Sequence, residues 1–130
     1  MKLRPHHIFC TGFLTEALPE RGESFLRVEQ TVRDVVCSDD ETPVEAAEGV
    51  DELCHVCPHC RDDRCEHPRG KEEGVRKWDG ILMKELGISY GETRTPREWR
   101  LLIREKAPLG FCQTRCPSRS GCTISRYSSG

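Results

Sequence analysis

Four cysteines and two histidines fall within twelve residues, in the run Cys54-His55-Val56-Cys57-Pro58-His59-Cys60-Arg61-Asp62-Asp63-Arg64-Cys65. This run constrains the fold more than any other stretch, because the backbone must bend wherever several of these side chains share a centre. Two residues separate Cys54 from Cys57 and Cys57 from Cys60, and four precede Cys65. Two intervening residues let a pair of thiolates reach one metal while the chain turns around it. Repeated in series, that step is the pattern that feeds an iron–sulfur cluster. The spacing points to metal.

A chain of 130 residues is one domain's worth. Hydrophobic residues make up 35% and charged residues 32%, so the core is thin and a metal would help hold it. Net charge is −2, with basic and acidic residues interleaved rather than gathered into the basic face of a nucleic-acid binder. No apolar run approaches the roughly 18 residues of a membrane span. The opening Met1–His7 has basic residues, but the apolar stretch after it is broken by Cys10, Thr11, Gly12, Thr15 and Glu16. That pattern is not a signal peptide, and a cytoplasmic location is expected. In a reducing compartment the nine cysteines are thiols or metal ligands rather than a disulfide framework.

Pro5 sits where a first helical turn tolerates proline, and His6 to about Leu18 reads as a helix. Cys10 lies one turn beyond His6 and His7, so it can share a face with either imidazole. A second helix is predicted over about Ser24 to Val36, followed by Cys37 as a buried apolar residue. Residues 38–52 are acidic, and Val44 marks either a short edge strand or a loop. Pro58 and Pro68 argue against regular structure inside the cysteine loop, residues 54–70. A helical pair is expected over 71–107. Its first helix runs from about Lys71 to Leu86 with Gly87 as its stop. Its second starts at the capping box Thr95-Pro96-Arg97-Glu98 and ends before Pro108. A closing segment, 108–130, carries Cys112, Cys116 and Cys122. All five histidines (His6, His7, His55, His59, His67) lie in the helix start or the cysteine loop. Singly, each reads as a solvated or capping histidine; together they imply that the helix start packs against the loop.

The opening Leu3-Arg4-Pro5-His6-His7-Ile8-Phe9-Cys10 with Gly12-Phe13, and then Asp51-Glu52-Leu53-Cys54-x2-Cys57-Pro58-His59, resembles the family called domain of unknown function 1284. The likeness continues through Cys65, Asp79, Leu86-Gly87 and the closing Cys112, Cys116 and Cys122. It implies an iron–sulfur-binding protein, with the family pattern falling on Cys10, Cys54, Cys57, Cys65, Cys112, Cys116 and Cys122. Two features depart from that pattern. Three residues separate Cys112 from Cys116 where two are expected, and Cys60, like Cys37, is an addition of this sequence. The extra Cys60 leaves the loop ligands open.

A [4Fe–4S] cluster takes four thiolates, which Cys10, Cys54, Cys57 and Cys65 supply, with Cys60 able to replace one. Zinc would take Cys54/Cys57 with Cys112/Cys116, leaving Cys10, Cys65 and Cys122 unused. The tail cysteines also allow a second metal centre. Three function classes follow. One is an electron carrier with a redox partner protein, where Arg61, Arg64 and Arg69 partly offset the cluster's negative charge. Another is a cluster enzyme doing redox or sulfur chemistry, with His6 or His7 as acid/base candidates. The third is a zinc-stabilised interaction module. Nucleic acid and membrane are not expected partners. The expected architecture is a small single-domain, mainly helical α+β fold of about four helices, with the two cysteine-rich segments converging on the metal.

Overall fold

The computed structural model describes residues 1–12, 19–68 and 70–106. In chain order these form β1 (Lys2–Leu3), α1 (Pro5–Cys10), α2 (Glu23–Ser38), β2 (Val44–Ala46), β3 (Cys60–Arg61), β4 (Arg64–Cys65), α3 (Lys71–Leu86), β5 (Thr93–Arg94) and α4 (Pro96–Lys106). Short 3-10 turns lie at Pro19–Arg21 and Cys54–Val56. The protein is a small, mainly helical α+β domain with four helices among the described residues. The expected tail site (Cys112, Cys116, Cys122), Pro108 and Arg69 lie outside the described residues.

Local signals place the later helices well. Gly87 closes α3 in the left-handed conformation (φ 73°, ψ 35°), and its N–H bonds the Met83 carbonyl at 2.8 Å. At α4, the Glu98 N–H donates to the Thr95 hydroxyl at 3.2 Å and the Thr95 N–H donates to the Glu98 carboxylate at 3.0 Å. That reciprocal pair is the predicted capping box.

Four expectations are corrected. α1 ends at Cys10, with Thr11 and Gly12 in a turn, where the sequence predicted a helix to about Leu18; residues 13–18 of that prediction lie outside the described residues. Val44–Ala46 is the central strand of a three-stranded sheet, not an edge strand or loop. It runs parallel to β1 (Lys2↔Glu45, Leu3↔Ala46) and antiparallel to β5 (Val44↔Arg94, Glu45↔Thr93). Val44 and Ala46 are both fully buried, and the Trp99 indole N–H caps the Val44 carbonyl at 2.9 Å. Cys37 is exposed, not buried, since the inner stripe of α2 is Phe25, Val32 and Val36 and the next residue turns about 100° away.

The cysteine loop also contains regular structure. β3 and β4 form a hairpin whose two turn residues, Asp62 and Asp63, have φ of 51° and 56°. Two positive-φ residues make the turn whose twist matches a hairpin, and aspartate tolerates that conformation better than most side chains. Asp-Asp is a weaker signal for it than Asn-Gly, so the prolines dominated the sequence reading.

The core lies where α2 packs on α4 and α1 on α3. Its sheet-facing wall is Leu3, Val44 and Trp99. One end of it, between α1, α3 and the cysteine loop, is charged.

Candidate metal centre

Arg4 precedes α1 and is 1% exposed. Its guanidinium grips Glu72 with two bonds (Nη2 to Oε1 2.7 Å, Nη1 to Oε2 3.2 Å) and lies 4.0 Å from Asp79. Its Nε donates to Cys54 Sγ at 3.4 Å. Glu72 and Asp79 are two helical turns apart on the same buried stripe of α3 as Leu82 and Leu86. Glu72 further accepts the Cys65 N–H at 2.9 Å and Arg76 Nε at 2.7 Å, so one carboxylate joins α1, α3 and the hairpin. A buried bidentate pair of this kind persists because each remaining lone pair also has a donor.

Burial alone would raise the Glu72 carboxyl, but Arg4, the Cys65 N–H and Arg76 together hold it down at about 2. The Asp51 carboxyl is likewise held below the usual carboxylate range by His7 and two backbone N–H groups, against the upward push of burial. A depressed carboxyl stabilises the fold fully above its ordinary value, 4.5 for Glu72, and that contribution is lost as pH falls through about 2. Unfolding free energy in urea is therefore expected to decline steadily from pH 4.5 to 2. A stability flat across that window would rule the linkage out.

Two carboxylates orient two histidines. Asp51 opens the turn before Cys54: its Oδ1 accepts the Cys54 N–H at 2.9 Å, and its Oδ2 accepts the Arg4 N–H at 2.7 Å together with His7 Nδ1. Asp79 Oδ1 accepts the His6 N–H at 2.9 Å and meets His6 Nδ1 at 2.8 Å. The His6 ring stacks on Trp78, with centroids 4.4 Å apart and planes 19° from parallel. Burial, followed by the neighbouring His7, lowers the His6 pKa and keeps the ring neutral. Burial and the adjacent Asp51 charge push the Cys54 thiol up to about 12, so a cation would have to draw its proton off.

Among the described residues, His7, Asp51 and Cys54 are a group whose ligand atoms all lie within 4.8 Å of one another. The protein is thus cysteine-rich with a residue group able to hold a metal ion. The helix start does pack against the loop, through His7 and Arg4. Further along, Cys60 stands directly across the hairpin from Cys65. Burial, followed by the neighbouring Asp63, raises the Cys60 thiol. His59 and His67 meet edge to face nearby, with centroids 4.5 Å apart. Cys10 is buried at the end of α1 and is not part of the His7–Asp51–Cys54 group. Arg64 and Arg61 are exposed, and Arg64 pairs with Glu66 and Glu73, so its charge is already matched.

Sequence reasoning missed Arg4, Asp51, Glu72 and Asp79 as site-building residues. The signal for two of them was present: Glu72 and Asp79 interrupt an apolar helical stripe at i and i+7. An acid on such a stripe must find a partner inside.

No helix among the described residues is long and apolar enough to cross a membrane. No curated protein and no solved structure matches the chain. A family model matches residues 22–125, a span that holds the cysteine loop, Glu72 and Asp79 but not the Leu3–Cys10 opening. With the loop, the α3 acids and the tail cysteines all inside that span, the chain belongs to the family described as Protein of unknown function (DUF1284).

Proposed function

We propose that this protein carries an iron–sulfur cluster of [4Fe–4S] type on the thiolates of the Cys54–Cys65 loop and acts in electron transfer or cluster-dependent redox or sulfur chemistry. Cys54, Cys57 and Cys65 are three of its ligands, and Cys10 or Cys60 is the fourth. The observation that carries the reading is the loop itself. A 3-10 turn and a tight hairpin gather four thiols at one end of the domain, beside a buried arginine. A [4Fe–4S] cluster takes four thiolates, and Cys10 with Cys54, Cys57, Cys60 and Cys65 offers five free thiols. Such a cluster supplies one-electron chemistry when bound. The chain's part is to set its potential by burial and by donors such as Arg4 Nε on Cys54 Sγ.

The second reading is a zinc-stabilised interaction module, favoured by the close approach of His7, Asp51 and Cys54. One experiment separates the two. Protein purified without oxygen is expected to be brown, with broad absorption near about 400 nm from thiolate-to-iron charge transfer and with matching iron and sulfide. Colourless protein with stoichiometric zinc would replace this reading by the second.

A further inference from the structure

Neighbouring residues of a helix diverge by about 100°. The rings of His6 and His7 nevertheless approach to 4.2 Å between centroids, tilted by 54°. Two buried carboxylates draw them together: Asp79 holds His6 Nδ1, and Asp51 holds His7 Nδ1. The carboxylate side chains are 2% and 0% exposed, whereas the imidazoles keep 12% and 18% exposure. Each ring is therefore anchored through Nδ1 on its buried side. Neither Nε2 makes a hydrogen bond among the described residues.

We propose that Nε2 of His6 and Nε2 of His7 bind one divalent transition-metal ion, at a site separate from the loop thiolates, with Asp79 and Asp51 as positioning residues. A metal-ligating histidine characteristically gives its other ring nitrogen to a carboxylate, which fixes its tautomer and orientation. Here two consecutive histidines do so, each to a different carboxylate. Asp51 itself is not a ligand in this site, because its oxygens already take the Arg4, Cys54 and His7 donors. Charge points the same way. Asp51, Glu72 and Asp79 are buried against one buried cation, Arg4, with Arg76 reaching Glu72 from a half-exposed position. Three carboxylates against two guanidiniums leave one negative charge among these side chains, which a bound cation offsets. Imidazole nitrogen suits zinc, iron(II), cobalt, nickel and copper. Two protein ligands leave coordination positions open to solvent or to an oxygen- or nitrogen-bearing substrate.

The proposal uses no loop thiolate, and it excludes a zinc ion held by His7, Asp51 and Cys54, because His7 Nδ1 and Asp51 stay paired with each other. Full-length protein with its loop metal in place is titrated with Co2+, followed by visible absorption and by competition with Zn2+. One further equivalent is expected, with the ligand-field bands of nitrogen and oxygen ligation. His6→Gln and His7→Gln each weaken it at least tenfold. Asp79→Asn weakens it about 10–100-fold, with the Co2+ affinity read per folded protein after the loop's own metal content has been measured. A structural role for Asp79 alone would not move Co2+ affinity in folded protein. The wild-type chain gives a second measurement that no folding defect can confuse: on adding Zn2+, the ring 15N resonances of His6 and His7 shift at Nε2. An absent extra equivalent, one that persists in the double histidine variant, or unshifted Nε2 resonances would overturn the site. Loss of the loop's colour in cysteine variants tests the cluster reading separately.

Discussion

Glu72→Ala is expected to remove about 3–5 kcal/mol of folding free energy, because it strands the Arg4 guanidinium, 1% exposed, without its bidentate partner. Domains of this kind hold roughly 5–15 kcal/mol in all, so the variant should sit near the edge of unfolding. The same change also frees the Cys65 N–H and the Arg76 side chain, loosening the hairpin from α3. Arg76→Ala is the control. Its side chain is half exposed, and its loss should cost less than about 1 kcal/mol even though it touches the same carboxylate. Urea unfolding followed by far-UV circular dichroism measures both. If the two variants lose similar amounts, the buried pair is not what ties the charged end of the domain together.

Cys57→Ser is expected to abolish the chromophore of anaerobically purified protein and to lower its thermal midpoint, since metal binding and folding are coupled where the core is thin. Cys57 joins the 3-10 turn to the hairpin, its N–H on the Cys54 carbonyl and its own carbonyl taking the Cys60 N–H, both at 3.0 Å. A serine there keeps the turn and removes only the sulfur. Cys37→Ser should leave iron content and spectrum intact, because Cys37 is exposed on α2. Comparing Cys10→Ser with Cys60→Ser then identifies the fourth thiolate: the ligand's replacement loses or converts the cluster and the other's does not. Full iron content with an unchanged spectrum in Cys57→Ser would remove Cys57 from the ligand set.

The helices were legible because their signals are local. Gly87 stops α3, and the Thr95–Glu98 pair starts α4, through contacts within four residues of chain, and both bounds agree with the structure. The likeness of the cysteine loop to cluster-binding runs was legible too, since thiol spacing is a property of the chain alone. The hairpin inside that loop was not, because an Asp-Asp turn has to be held by pairing such as Cys60↔Cys65 before its positive φ values are tolerated. Nor was the central place of Val44–Ala46, which depends on two partners 43 or more residues away in sequence order, one on each side.

Sequence by itself thus determined that α2, α3 and α4 are helices, where α3 stops and where α4 starts, and which thiols and imidazoles offer themselves to a metal, all of which rest on side chains acting on their near neighbours. Tertiary structure alone decided that Arg4 meets Glu72, His7 meets Asp51 and His6 meets Asp79, over separations of 68, 44 and 73 residues. Each of those contacts places polar groups where water is excluded. Only the closing of α1 onto α3 and the loop, which removes the solvent, makes their pairing obligatory.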